Sequence, residues 1–199
     1  KCGGYLSDMV DAVLWGAGIA LPDAPVNTHP ARVINISLGY AGACSPFEAS
    51  AYQLVYEAGV TVIAAAGNDG GDSAQVAPAN CPHVIAVAAS DGDGNLATYS
   101  SRGANVTLMA PGGSLTKRLP VLSDLGKTGP AGDTVASSEG TSFAAPWVSG
   151  TEGLMLSVNP NLGPDGIWQT LLYSSTPNLS CSGTCGGGML NIEKAVKLA

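Results

Sequence analysis

Apolar residues along this chain fall into two patterns. Residues 6–20 place Leu6, Met9, Val10, Val13 and Leu14 at helical spacing, with Ser7 or Asp8 available as a cap. By contrast, residues 32–38 are a short β-branched run, and 60–66 and 84–89 are short, almost wholly apolar runs rich in Val, Ile and Ala. Such runs predict strands buried on both faces. Residues 107–110 predict one more short strand, and 47–58, closed by Gly59, a second helix. Residues 142–158 predict a long helix whose Ala144, Ala145, Ser149, Gly150 and Gly153 allow close packing on a sheet. Further helices are predicted at 167–174 and 192–198, and a Gly/Pro-rich hairpin or loop at 126–132.

Apolar strands alternating with helices predict an α/β fold: a mostly parallel sheet covered by helices on both faces. No repeat or linker divides the chain, so residues 1–199 read as one domain or most of one.

Composition supports a packed body. Apolar residues make up 45% of the chain and charged ones 12%, with 27 glycines for tight turns. The net charge of −7 disfavours nucleic acid and anionic membranes as partners. No apolar run is long enough to span a bilayer. The 5 cysteines have no zinc-site spacing. Their Gly-, Ser- and Pro-flanked positions favour disulfides in an oxidising compartment, with an odd thiol left over, assigned to Cys2 at the start.

Candidate chemistry centres on Gly140-Thr141-Ser142-Phe143-Ala144-Ala145-Pro146. This places a hydroxyl at a strand-to-helix turn, beside the free N–H groups of a helix start. Taken alone, Ser142 reads better as an N-cap than as a nucleophile. Two strand ends change that. Asn68 follows the Ala64-Ala65-Ala66-Gly67 run, and in a parallel sheet the strand C-termini line the binding crevice. Its amide is a candidate oxyanion donor together with the Ser142 N–H. Asn35-Ile36-Ser37-Leu38-Gly39 ends a strand in an edge suited to pairing with an extended peptide. Two other readings fail. The esterase elbow Gly-x-Ser-x-Gly needs a glycine where Ala144 stands. A phosphate loop ending in Gly126-Lys127-Thr128 needs one where Val121 stands.

Asn35 to Gly39, Ala64 to Asn68, the Ala-Pro-Gly-Gly run at 110–113 and the Ser142 motif, in this order, resemble the catalytic domain of subtilisin-like serine peptidases (subtilases), of the secreted, disulfide-containing bacterial type. The resemblance implies that Ser142 is the nucleophile and Asn68 the oxyanion donor. It implies that Ser37, Leu38 and Gly39 pair with substrate backbone, and that Ala65, Ala66 and Gly67 wall the specificity pocket, with Thr141 among the substrate-lining residues. It implies disulfides Cys44–Cys81 and Cys181–Cys185, a protein or peptide substrate, and structural calcium. For calcium the candidates here are Asp69, Asp72, Asp91 and Asp93, although 91–102 fails as an EF-hand, with Leu96 and Arg102 at two ligand positions.

The chain departs from the family in three ways. The family's Asp and His motifs are absent. Neither His29 in a Pro-rich loop nor His83 before a strand opens a helix as the family's histidine does. The expectation is therefore the C-terminal portion of a catalytic domain, with its Asp and His supplied by an upstream segment or separate chain linked through Cys2. This chain alone is then nearly inert, and the rival reading is a non-catalytic peptide-binding fragment or pseudoenzyme. Phe143 stands where the family commonly has an oxidisable Met, and Trp147 where it usually has a non-catalytic His.

Overall fold

The computed structural model describes residues 4–181 and 183–199. Cys2, and with it the expected link to another segment, lies outside them. The central sheet is built from the apolar runs: β1 (Val33–Ile36), β3 (Thr61–Ala65), β5 (Val84–Ser90) and β6 (Val106–Pro111). All pair in parallel, in the order β1-β3-β5-β6. β3 is buried at every position, as expected of a strand covered on both faces.

Side chains alternate across the sheet. Val62, Ala64 and Ala86 face α1 (Leu6–Gly16) and α2 (Pro46–Glu57), meeting Val13, Tyr52 and Val55. Ile63, Ile85, Val87 and Leu108 face the other layer, α3 (Thr141–Val158), α4 (Pro164–Ser174) and α5 (Ile192–Leu198). There they pack on Ala144, Ala145, Val148, Met155, Ile167 and Leu171. The small residues at the start of α3 let it lie close to the strands.

The local differences from the sequence reading have local causes. α1 stops at Gly16 rather than residue 20 because Gly18 takes a left-handed φ of 83° and turns the chain. Neither Ser7 nor Asp8 caps it; Tyr5 holds the N-cap position without a side-chain bond. α2 begins at a capping box in which the Ser45 side chain accepts from the Glu48 N–H and the Glu48 carboxylate accepts from the Ser45 N–H. α4 starts at Pro164, a favoured first helical residue, rather than at 167. Two small elements add strands that the sequence reading did not give, although it allowed a hairpin at 126–132. One is an antiparallel hairpin, β7 (Leu119–Asp124) and β8 (Asp133–Ser138), with the expected Gly/Pro loop as its tip. The other is the ribbon of β2 (Tyr40–Ala41) and β4 (Val76–Ala77).

The two sheet edges differ. Along β6, Gly187 donates to the Thr107 carbonyl, Met109 donates to the Gly188 carbonyl and Leu190 donates to the Met109 carbonyl. Among the described residues no strand pairs with the outer side of β1. An apolar groove of about 1000 Å³ runs there, lined by Met9, Val13, Ile34, Ile36 and Leu38.

One core residue is unexpected. Glu152 of α3 is fully buried, and neither carboxylate oxygen has a hydrogen-bond partner. Burial pushes its pKa up to about 7. The Thr61 hydroxyl, close by but outside hydrogen-bonding geometry, and the Arg32 guanidinium pull the other way. A raised acid pKa means that the folded state holds a proton the unfolded chain has lost. The associated stability is complete below the ordinary value of 4.5 and disappears as pH rises through about 7. We expect Glu152→Gln to flatten this slope and to stabilise the protein at pH 9 by about 3 kcal/mol. Urea midpoints at pH 5 and pH 9 measure it; an unchanged slope in the variant would contradict it.

Candidate functional site

The start of α3 meets the C-terminal ends of β1 and β3. Gly140, the N-cap of α3, has φ 145°, a conformation that admits the sharp turn from β8 into the helix. The turn is held from below. Tyr99 Oη lies 2.9 Å from the carbonyls of Gly112 and Gly113 and accepts from the Gly140 N–H at 3.0 Å. The Gly140 N–H also reaches the Gly112 carbonyl. Gly112 cannot carry a side chain here, since a Cβ would lie 2.4 Å from that of Ala89 and 2.9 Å from the Gly140 carbonyl. The Ala-Pro-Gly-Gly run thus serves as a brace under the Ser142 turn. Burial pushes the Tyr99 phenol up to about 12, so it stays protonated and donating. Sequence reasoning did not find Tyr99, since no local pattern marks it.

Ser142 is the second residue of α3, so its N–H has no intrahelical acceptor. Its hydroxyl donates to the Ser37 carbonyl at 2.9 Å, and the Ser37 hydroxyl donates to the Ser142 carbonyl at 2.7 Å. This pair ties the helix start to the end of β1. Asn68 is fixed by Thr141, whose backbone N–H and hydroxyl both donate to Oδ1 at 2.9 Å. With Oδ1 committed to two donors, Nδ2 is the end of the amide left to donate. Leu38, Gly39, Ala65, Gly67, Asn68, Thr141 and Ser142 line one cleft of about 230 Å³. Ala66 is not among them: the strand alternation turns its side chain into the core with Ala88 and Val106. Leu38 is 57% exposed at the cleft mouth.

The histidines lie elsewhere. His29 precedes β1 and His83 precedes β5, stacked on Tyr56 with ring centroids 4.2 Å apart. Both sit at the N-terminal edge of the parallel sheet, whereas Ser142 sits at the C-terminal edge. The length of β1 alone separates the two edges by about 13 Å.

Both disulfides form as expected. Cys44–Cys81 joins the residues just after β2 and β4, with Cα atoms 5.1 Å apart, and Cys181–Cys185 closes a short loop. The first spans 37 residues, for which chain entropy contributes about 4 kcal/mol. Replacing Cys44 and Cys81 together by Ser is expected to lower Tm by about 10 °C. Calorimetry measures it, and an unchanged Tm would contradict the assignment.

The calcium candidates do not assemble a cage. Asp72 Oδ1 accepts from the Ala74 N–H, Asp91 Oδ1 accepts from the Asp93 and Asn95 N–H groups, and Asp93 pairs with Lys117. Among the described residues, the one close group of possible ligands is Cys44, Glu48 and Cys81, and its cysteines are joined in the disulfide.

A hydroxyl at a helix start and a side-chain amide lining one cleft at the strand C-termini are the parts a serine hydrolase places on an α/β sheet. The comparisons give the family. The profile described as "Subtilase family" matches residues 1–188, and this chain belongs to the subtilase family. It is 41% identical over 201 residues to the "Extracellular protease" of Xanthomonas campestris pv. campestris, a match covering 100% of this chain and 34% of that protein. It is 36% identical over 168 residues to "Subtilisin DY" of Bacillus licheniformis, covering 83% of this chain and 57% of the other. A solved protease structure from Pseudoalteromonas arctica superposes with a TM-score of 0.95 at 35% identity, covering 99% of this chain and 60% of that one. The chain thus spans about a third to three fifths of these relatives. No described helix is long and apolar enough to cross a membrane.

Proposed function

We propose that this chain is the nucleophile-bearing, C-terminal portion of the catalytic domain of a secreted serine endopeptidase, working through an acyl-enzyme at Ser142. The observation that carries the reading is the convergence of the Ser142 hydroxyl, the Ser142 N–H and the Asn68 amide at one cleft. Ser142 Oγ attacks the scissile carbonyl carbon, forming the Oγ–C bond as the carbonyl electron pair moves onto oxygen. The Ser142 N–H and Asn68 Nδ2 donate to that developing oxyanion. The hydroxyl proton passes to a base and then to the leaving amine as the C–N bond breaks. Water releases the acyl group by the same route in reverse. Substrate backbone pairs along Ser37, Leu38 and Gly39.

The base and its orienting carboxylate, a His and an Asp, come from a segment outside these 199 residues. Three observations support this. His29 and His83 occupy the wrong sheet edge, the Ser142 hydroxyl donates to a carbonyl rather than a base, and the unpaired β1 edge with its apolar groove offers a seat for a further strand. Relatives named as extracellular proteases and the two disulfides support secretion.

The test is hydrolysis of denatured casein by the full-length protein and by residues 1–199 alone. We expect turnover from the first and almost none from the second. Peptide binding without turnover by the full-length protein would contradict the reading and favour a pseudoenzyme.

A further inference from the structure

Three donor atoms meet where α2 begins, outside the Ser142 cleft. The sulfurs of Cys44 and Cys81 and a carboxylate oxygen of Glu48 all lie within 4.8 Å of one another. The two cysteines are 37 residues apart in the chain, so no local spacing announces the group. Glu48 is fully buried in the first turn of α2. Its two oxygens are treated differently. Oε2 accepts from the Tyr40 hydroxyl at 2.6 Å, the Ser45 hydroxyl at 2.8 Å and the Ser45 N–H at 3.0 Å. Oε1 has no hydrogen-bond partner, and neither has the Tyr52 hydroxyl, on a residue only 1% exposed. Among the described residues no ion pair includes Glu48. A buried carboxylate with a bare oxygen and no cation is costly unless a positive charge meets it. The three bonds to Oε2 also fix the side chain, as hydrogen bonds from the protein fix the carboxylates that bind metals.

We propose that the reduced form of this protein binds one zinc-class divalent cation through Cys44 Sγ, Cys81 Sγ and Glu48 Oε1. The disulfide and the metal site are alternative states of the same pair. A dithiol attacks Cys44 Sγ, the more exposed of the two sulfurs. The S–S bond breaks and Cys81 leaves as a thiolate; the second thiol of the reductant then closes its own disulfide and frees Cys44. Two electrons and two protons pass from the dithiol to the cysteines. On metal binding both thiols give their protons to water and form two metal–sulfur bonds. The carboxylate is the third ligand and solvent the fourth. Tetrahedral zinc sets its two sulfurs about 3.7 Å apart. That lies inside the 4.8 Å the group already spans. Two thiolates and a carboxylate suit a borderline-soft ion, whereas calcium and magnesium take oxygen ligands throughout. The consequence reaches the cleft, which Tyr40, Ala41 and Val76 of the β2–β4 ribbon line beside Ser142. With the disulfide reduced, the ion takes over the tie between the segments that follow β2 and β4.

Cobalt(II) is the probe, titrated into full-length protein that has been reduced with dithiothreitol and freed of it anaerobically. One ion per Cys44–Cys81 pair is expected, with a thiolate-to-cobalt charge-transfer band in the near ultraviolet. Equimolar Zn²⁺ should remove the band and excess Ca²⁺ should leave it. Zn²⁺ should also raise the Tm of the reduced protein and leave that of the oxidised protein unchanged. Glu48→Gln preserves the capping box, in which Gln serves as well as Glu, and is expected to weaken cobalt binding at least about tenfold. Replacing Cys44 and Cys81 together by Ser should abolish this ion altogether. A reduced parent that binds no cobalt overturns the proposal. Cobalt binding of unchanged affinity in either variant overturns it equally, because the ion then sits on other ligands.

Discussion

Replacing Ser142 by Ala in the full-length enzyme is expected to lower kcat by about six orders of magnitude while leaving the fold in place. The size of the effect follows from the role: without Oγ no acyl-enzyme forms, and only water attack assisted by the remaining donors is left. In a subtilisin, a member of the same family, loss of this hydroxyl costs about 2 × 10⁶ in kcat, and that family figure is the expectation carried here. The structural cost is small by comparison. Ser142 gives up one hydrogen bond to the Ser37 carbonyl, worth about 1 kcal/mol, while the reciprocal bond from Ser37 to the Ser142 carbonyl survives. Thermal melts should therefore nearly superpose while turnover disappears. A variant that retains more than a thousandth of the parent rate would place the nucleophile elsewhere.

Asn68→Ala is expected to give the second largest loss, and one of a different kind. It should lower kcat by about 10²–10³, equivalent to about 2.7–4 kcal/mol, with KM changed by little; the magnitude is that of the corresponding donor in a subtilisin. Geometry favours a transition-state role. Thr141 fixes the amide through two bonds to Oδ1, so Nδ2 is aimed before substrate arrives and needs no reorganisation as charge develops. Asn68→Asp should lose at least as much, because it replaces the donor with an acceptor and adds negative charge where the oxyanion forms. Separate kcat and KM values decide the matter. A raised KM with unchanged kcat would make Asn68 a ground-state binding residue instead.

How much of this was legible in the sequence depended on whether a segment carries its own signal. The buried parallel strands were, because burial on both faces leaves an unbroken apolar run such as Val62-Ile63-Ala64. The strands of the β7–β8 hairpin were not, although its Gly/Pro tip was: they are largely exposed, with Leu122 and Val135 facing solvent, and carry no apolar alternation. The two-residue strands of the β2–β4 ribbon are held by register and a disulfide between distant residues, neither of which a local window contains. The same contrast runs through the site. Ser142 and Asn68 were visible because a turn and a strand end announce them. Val76 has ordinary neighbours, and its place in the cleft follows only from its pairing with Ala41. Glu152 is fully buried, and nothing in its local sequence marks it as such.

The central claim is that Ser142 becomes a nucleophile only when a base from outside these residues is brought to it. The most direct measurement is labelling with a fluorophosphonate, mapped by peptide mass spectrometry. The full-length protein is expected to label stoichiometrically at Ser142, and residues 1–199 alone should stay unlabelled under the same conditions. Equal labelling of both, or labelling of the full-length protein at another serine, would contradict the account.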